Sequence, residues 1–167
     1  MNNIVEAVIE IPMGTRNKYE IDKKTNKIKL DRVIFTSMNY PAEYGSISQT
    51  LSADGDPIDI VILSSEQTFP GCVVEARVVG YLDAIDNGYE DQKIIAVVNK
   101  DPRFDHINEL TDIPLPILEI IKNFFATYKT LQNIEVIIKE YHCKEEALQL
   151  IEQSKEKYQR EFGSIQN

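Results

Sequence analysis

Tryptophan is absent from this chain, and histidine and cysteine occur only twice each, as His106, His142, Cys72 and Cys143. The two cysteines are far apart and show no metal-type spacing. They read as free thiols of a reducing cytoplasm, with a disulfide as the lesser alternative. No uninterrupted apolar run approaches the roughly 20 residues that a membrane-spanning helix needs. The stretch Met1–Ile11 has no basic segment followed by an apolar core, so no secretory signal is expected. Basic residues are the minority, 18 against 27 acidic ones, for a formal charge of -9. That balance argues against a protein that binds nucleic acid by neutralising its phosphates. No linker, internal repeat or low-complexity tract divides the 167 residues, a length suited to one domain spanning 1–167.

What the chain does have is clustered acid. Asp54-Gly55-Asp56-Pro57-Ile58-Asp59 places three carboxylates in six residues, directly before the apolar run Ile60-Val61-Ile62-Leu63. Clustered carboxylates repel one another unless a cation lies among them, and oxygen-only donors favour hard cations such as Mg2+, Mn2+ or Ca2+. A second cluster, Asp86-Asn87-Gly88-Tyr89-Glu90-Asp91-Gln92-Lys93, precedes the apolar run Ile94–Val98. Two acid clusters, each anchored by a strand, suggest one polynuclear metal site. Taken alone, an Asp-Gly-Asp turn is usually solvated. An EF-hand loop is the nearest metal-binding rival, and it fails: Ser65 falls where the bidentate Glu belongs, and Asp59 where the loop glycine belongs.

From Val5 to about Val98 the signals are mostly β. Val5–Ile11 is rich in β-branched residues, Asn17–Asp22 alternates, and Lys24–Lys27 offers a turn before Ile28 and Leu30. Cys72–Leu82, after Pro70-Gly71, reads as a long strand. Thereafter Ile117, Leu118, Ile121, Phe124, Phe125 and Tyr128 recur at helical spacing behind Pro114 and Pro116. Ile134–Tyr141 reads as a further strand. Ala147, Leu148, Ile151, Tyr158 and Phe162 mark one face of a charged helix over about 144–162, with Gly163 as its stop. Short strands before two helices predict a mainly β (α+β) fold, a small OB-like five-stranded closed barrel with the helices packed outside.

These residues carry a resemblance. Asp54-Gly55-Asp56-Pro57-Ile58-Asp59-Ile60 resembles the signature of the soluble family I inorganic pyrophosphatases of bacterial type. Glu10-Ile11-Pro12, Asn17-Lys18-Tyr19-Glu20, Asp31-Arg32, Tyr40-Pro41 with Tyr44-Gly45, Gly88–Lys93, Asp101–Ile107 and Phe124-Phe125 with Tyr128-Lys129 follow in the family's order. The likeness runs from about residue 5 to residue 150. It implies a cytoplasmic enzyme that hydrolyses pyrophosphate to two phosphates with a metal-activated water, using several Mg2+ per site and accepting Mn2+ or Zn2+ as substitutes. By the same resemblance Asp54, Asp59, Asp86 and Asp91 hold metal, Asp59 being shared between two ions, and Asp56 is the general base. Lys18, Arg32, Tyr44, Lys93, Tyr128 and Lys129 bind the phosphates. Glu10 and Glu20 act from the outer shell through waters, and Tyr40 belongs to the lining with a less direct role. A homohexamer built from trimers is the implied assembly. No nucleic acid or membrane partner is expected.

Each of these residues also has an ordinary structural reading. Glu10 suits an outward-facing strand position, and Lys18 with Glu20 a salt-bridged exposed face. Arg32 could pair with Asp31 or Asp22. Tyr128 would serve as core and Lys129 as a partner of the helix dipole. His106 is expected to order its own loop, and Phe124-Phe125 to be core. The sequence departs from the family pattern at Glu43, Ser46, Gln49 and Glu140-Tyr141-His142-Cys143, none of them among the implied ligands. Two other classes remain: a single-strand nucleic-acid module on an OB barrel, opposed by the charge, and a catalytically silent metal-stabilised scaffold, which would need a missing ligand.

Overall fold

β-branched runs and turn residues set the element order in the computed structural model, which describes residues 2–163. The strands are β1 (Ile4–Ile11), β2 (Asn17–Ile21), β3 (Ile28–Val33), β4 (Glu43–Ile47), β5 (Ile58–Leu63), β6 (Val73–Asp86), β7 (Tyr89–Glu90), β8 (Lys93–Val98) and β9 (Val136–Cys143). The helices are α1 (Leu115–Thr127), before β9, and α2 (Lys144–Phe162), after it. Strands β1-β4-β5-β8-β6 pair in that order, and β1 pairs again with β6, closing a ring of five. The β5–β8 pairing is parallel; the other four of the ring are antiparallel. Strands β7 and β9 extend from β6, and β2–β3 form a separate hairpin. The mainly β, OB-like architecture with two helices is the one the sequence predicts.

The ring strands carry core on both faces. Ile58, Ile60, Ile62, Ile94 and Ala96 join one buried cluster with Ala147, Leu148 and Ile151 of α2. The alternating residues Val61, Leu63, Ile95 and Val97 join a second, with Leu118, Ile121, Phe124 and Phe125 of α1. Double burial explains why β5 and β8 read as continuous apolar runs rather than alternating ones. Each fully buried aliphatic side chain contributes about 1.5–3 kcal/mol. Strand β6 runs for 14 residues and bears two irregularities, at Val78/Gly80 against β8 and at Leu82/Ala84 against β9. Such bulges sharpen the twist that a small ring needs.

Strand β4 has no apolar alternation to announce it, and the sequence reading passes it over. A glycine lies at its centre for a steric reason. A Cβ on Gly45 would overlap the Val8 carbonyl oxygen and lie 2.8 Å from its carbon, so only glycine lets β1 and β4 approach this closely.

Helix α1 starts at Pro114–Pro116 as expected. In α2, Ala147, Leu148 and Ile151 are buried, but Phe162 is exposed and packs on Tyr158, 5.0 Å away ring to ring. The predicted apolar face therefore ends a turn before the helix does. Gly163 closes α2 at φ -68, a right-handed conformation, so its lack of a Cβ is not what stops the helix.

The loop after β8 is ordered by groups other than His106, which is exposed and makes no hydrogen bond among the described residues. Arg77 donates to the carbonyls of Phe104 and Ile107 and to Asn99. Asp101 accepts from the Ser65 hydroxyl at 2.5 Å, from the Ser65 and Arg103 amides, and from the Arg103 guanidinium. These donors, the Ser65 hydroxyl foremost, hold the Asp101 carboxyl down to about 2. A depressed pKa in the fold stabilises it above the ordinary carboxylate range and loses that contribution as pH falls through the folded value. Asp101→Asn should therefore flatten the acid limb of melting temperature against pH between about 4 and about 2. Thermal melts of the metal-free protein across that range check this, and a variant with the wild-type slope contradicts it.

Candidate active site

The acidic turn before β5 is built from its own polar groups. The Thr50 hydroxyl donates to the Ile47 carbonyl and accepts from the Ile58 amide at 3.0 Å, closing the base of the loop. Inside it the Asp56 amide donates to Asp54 Oδ1 at 3.0 Å, and Gly55 takes φ +89, a left-handed value that suits glycine. Asp54 and Asp56 are exposed at the tip, while Asp59 lies on β5 itself. Its neighbours in register are Ser46 on β4 and Lys93 on β8.

The second acidic cluster is a hairpin. Asn87 (φ 50) and Gly88 (φ +86) form the two-residue turn between β6 and β7, with Asp86 opposite Tyr89. Two successive positive φ values are the requirement of a type I′ turn, and Asn-Gly is its preferred sequence. The turn fixes Asp86 at the end of β6, where it accepts from Lys129 Nζ at 2.6 Å and from the Tyr128 hydroxyl at 3.3 Å. Asp91 follows, tied back by its amide to the Ala84 carbonyl at 2.9 Å.

Between Asp59 and Asp91 lies Lys93, its side chain only 1% exposed. Its Nζ donates to Asp59 Oδ2 at 3.1 Å, to Asp91 Oδ2 at 3.1 Å and to the Tyr44 hydroxyl at 2.8 Å. It also lies 4.7 Å from the Phe125 ring centre and 5.1 Å from that of Tyr44. Tyr40, Tyr44, Phe124, Phe125 and Tyr128 make a continuous aromatic floor, with ring centres 4.6–6.4 Å apart. This dry floor has electrostatic consequences. Burial pushes the Tyr44 and Tyr128 phenols up, so both keep their protons. Burial opposes ionisation of Asp59 too, but Lys93 and hydrogen bonds from Tyr44 and Asp91 hold its carboxyl below the ordinary range. Asp91 is raised to about 6 by burial, against the pull of Lys93 and with the nearby Asp59 charge adding to the rise.

These groups face one cleft of about 300 Å³, which brings together Asp54, Asp56, Asp59, Asp86, Asp91, Lys18, Arg32, Tyr40, Tyr44, Tyr128 and Lys129. Lys93 stands behind that lining. Arg32, at the rim, also pairs with Asp31 at 3.3 Å in an exposed contact. Glu10 and Glu20 are not in the cleft: they line a neighbouring cavity of about 330 Å³ with Tyr19, Ser46 and Ser48. Lys18 and Glu20 thus serve different cavities, although strict alternation puts them on one face. The hairpin is irregular just there, with Lys18 opposite Arg32 but Tyr19 opposite Leu30, leaving Asp31 unpaired. Glu10 falls at a similar irregularity, between Ile9 and Ile11 against β4. Burial raises its carboxyl, against Lys18 and with Asp59 and Asp56 adding, so it feels the cleft's charges. Phe35, Asn87, Tyr89 and Gln132 line the cleft without having been singled out. The Asn87-Gly88 pair was the available signal for two of them.

Five carboxylates face three cationic side chains across the opening, with Lys93 as a fourth at the back. No histidine or cysteine lines the cleft, so its polar side chains offer oxygen, ammonium or guanidinium nitrogen, and the carboxamides of Asn87 and Gln132. Such a set can hold hard cations on the acidic wall and polyanion oxygens on the basic and phenolic one.

Known proteins are similar to this chain in sequence and in fold. The family described as "Inorganic pyrophosphatase" matches residues 7–159. An inorganic pyrophosphatase of Halalkalibacterium halodurans is 50% identical over 155 residues, covering 93% of this chain and 95% of that protein. The crystal structure of inorganic pyrophosphatase from Thermus thermophilus superposes with a TM-score of 0.89 at 41% identity, covering 94% of this chain and 92% of the other. The solved structure of inorganic pyrophosphatase from Helicobacter pylori gives 0.90 at 38%, covering 95% of each chain.

Proposed function

The chain belongs to the inorganic pyrophosphatase family, and from that premise we propose how its cleft hydrolyses pyrophosphate to two phosphates. The observation that carries the residue-level reading is the convergence of both acid clusters on one cleft with Lys18, Arg32, Lys129, Tyr44 and Tyr128. An acidic wall receives a polyanion only through cations, and the all-oxygen acid set fits Mg2+. Among the described residues no three carboxylates already close around one point. Mg2+ commonly keeps waters and substrate oxygens in its shell rather than taking an all-protein cage. Asp54, Asp59, Asp86 and Asp91 would hold the ions, with Mn2+ or Zn2+ as substitutes and Glu10 and Glu20 acting from outside the cleft. Bound there, Mg2+ supplies polarisation of phosphoryl oxygens and acidification of an attached water.

The chain's own groups do the rest. Asp56 is exposed at the turn tip, and its carboxylate accepts no hydrogen bond among the described residues, which leaves it available to take the proton of the attacking water. Lys18, Arg32 and Lys129 orient the two phosphates, the guanidinium offering a bidentate grip. Tyr44 and Tyr128 keep their protons, and each would turn its single hydroxyl proton from Asp59 or Asp86 to a phosphoryl oxygen once those carboxylates engage the ions. Tyr40 keeps the floor dry beneath them, which strengthens every charge interaction above it.

The chain reads as a single domain, since both cores draw on all five ring strands. No helix among the described residues is long and apolar enough to cross a membrane. The free thiols Cys72 and Cys143 support a cytoplasmic setting. Large apolar side chains left exposed, Ile120, Leu131 and Val73 among them, support a homo-oligomer, which we read as a homohexamer built from trimers. Light scattering should give a hexameric mass at micromolar concentration, and a fully active monomer refutes this.

Purified protein should release phosphate from pyrophosphate with millimolar Mg2+, lose that activity in EDTA and be inhibited by Ca2+, whose larger, looser shell disturbs a two-metal geometry. Background rates with Mg2+ refute the reading. Asp59→Asn should lower metal affinity and turnover together. Asp56→Asn should keep metal affinity near wild type, lower turnover by about 10²–10⁴-fold and move the pH–rate profile upward. Full turnover with an unmoved profile would assign the base elsewhere.

A further inference from the structure

The Lys93 ammonium has three protons to donate, and all three are committed, to Asp59, Asp91 and Tyr44. It therefore has no donor left for a phosphate oxygen in this arrangement, and it is screened from the cleft by the residues it contacts. Lys129, the other lysine on the acidic wall, bonds a single carboxylate and is 25% exposed, so it can reach a ligand without leaving Asp86. The two lysines are thus not equivalent. Lys93 lies at equal distance, 3.1 Å, from one oxygen of each carboxylate, where a cation shared by Asp59 and Asp91 would be attracted most. The faces of Phe125 and Tyr44 further favour a positive charge at that point. Its backbone is fixed, paired with Asp59 on β5 and Leu82 on β6, so only the four-carbon stem can carry the charge away.

We propose that Lys93 is the resident counter-ion of the Asp59–Asp91 pair in the metal-free protein, and that a divalent cation arriving on those carboxylates releases its ammonium towards the substrate's phosphate. This deepens the metal-site reading above and rests on it. A divalent ion engages the carboxylate oxygens and repels the ammonium, so the same event that loads the acidic wall frees donors for the polyanion. Lys93 then couples the two halves of the site: it binds phosphate fully only after metal. Its aliphatic stem keeps the aromatic floor covered in both positions.

The test is calorimetric titration of Mg2+ into wild type, Lys93→Met and Lys93→Arg without substrate at alkaline pH, with thermal melts in Mg2+ and in EDTA. Removing a competing positive charge should tighten the first Mg2+ bound by Lys93→Met by about tenfold or more. The same variant should melt lower than wild type in EDTA, and Mg2+ should raise its melting temperature by more than it raises that of wild type. Lys93→Arg keeps the charge and should bind Mg2+ within a few-fold of wild type. Unchanged or weaker Mg2+ binding by Lys93→Met overturns the counter-ion role, as does Lys93→Arg behaving like Lys93→Met. Should Lys93→Met not fold, Lys93→Gln carries the same comparison. A wild-type protein that binds no Mg2+ instead removes the metal site itself, an outcome distinct from wild-type binding with an unaltered variant.

Discussion

The parallel pairing of β5 with β8 is the constraint from which the cleft follows. It sets Asp59 beside Lys93 in register and continues without irregularity to Leu63 and Val97. Both strands are packed on both faces, so a slip of one residue would exchange the two cores as well as misplace the charges. The cost of that exchange is far larger than any single ion pair, and the register is accordingly set by the apolar residues. Asp59 and Lys93 inherit their geometry from Ile60–Leu63 and Ile94–Val97. A polar site positioned by the core has no need of rigid polar contacts to hold it in place.

The strongly apolar and turn-forming parts of this architecture were legible in the sequence. β5, β8, α1 and most of α2 announce themselves through unbroken runs, helical spacing and prolines. β4 does not, because Glu43 is buried through hydrogen bonds with Thr68 and Gly45 through a close backbone approach. Neither resembles an alternating pattern. The ordered motifs pointed to the cleft residues, and most converge there. Glu10, Glu20 and Lys93 show what motif order leaves out. Local irregularities in β1 and the β2–β3 hairpin put the two glutamates in the adjoining cavity, and tertiary pairing buries Lys93, which the resemblance presents as a phosphate ligand, behind the cleft lining. Asn87-Gly88 is a hairpin signal that the acidic residues around it obscured.

The charge of the whole molecule looks ill-suited to an anionic substrate until the cleft is considered separately. Most of the surplus acid is spread over the surface, whereas the cleft is close to balanced once Lys93 is included. Beneath it, the aromatic floor removes water from one side of every charge pair, and such pairs interact more strongly than they would in bulk solvent. Aromatic packing from α1 therefore governs the electrostatics of groups that belong to strands. The helix contributes no carboxylate to the site, yet it sets the medium in which the carboxylates act.

The ring also dictates an order of events during synthesis. Its closing pair joins Ile4 to Arg77, and its central pair joins Asp59 to Lys93. A ribosome delivers β1, β4 and β5, with three aspartates of the first acidic cluster, well before the partners that complete them. Until β6 and β8 emerge, the nascent segment has open strand edges and a patch of unneutralised charge. Such long-range closure makes folding slow relative to local hairpins. The early repulsion among those aspartates also opposes edge-to-edge association with neighbouring chains, a hazard that exposed strand edges otherwise invite.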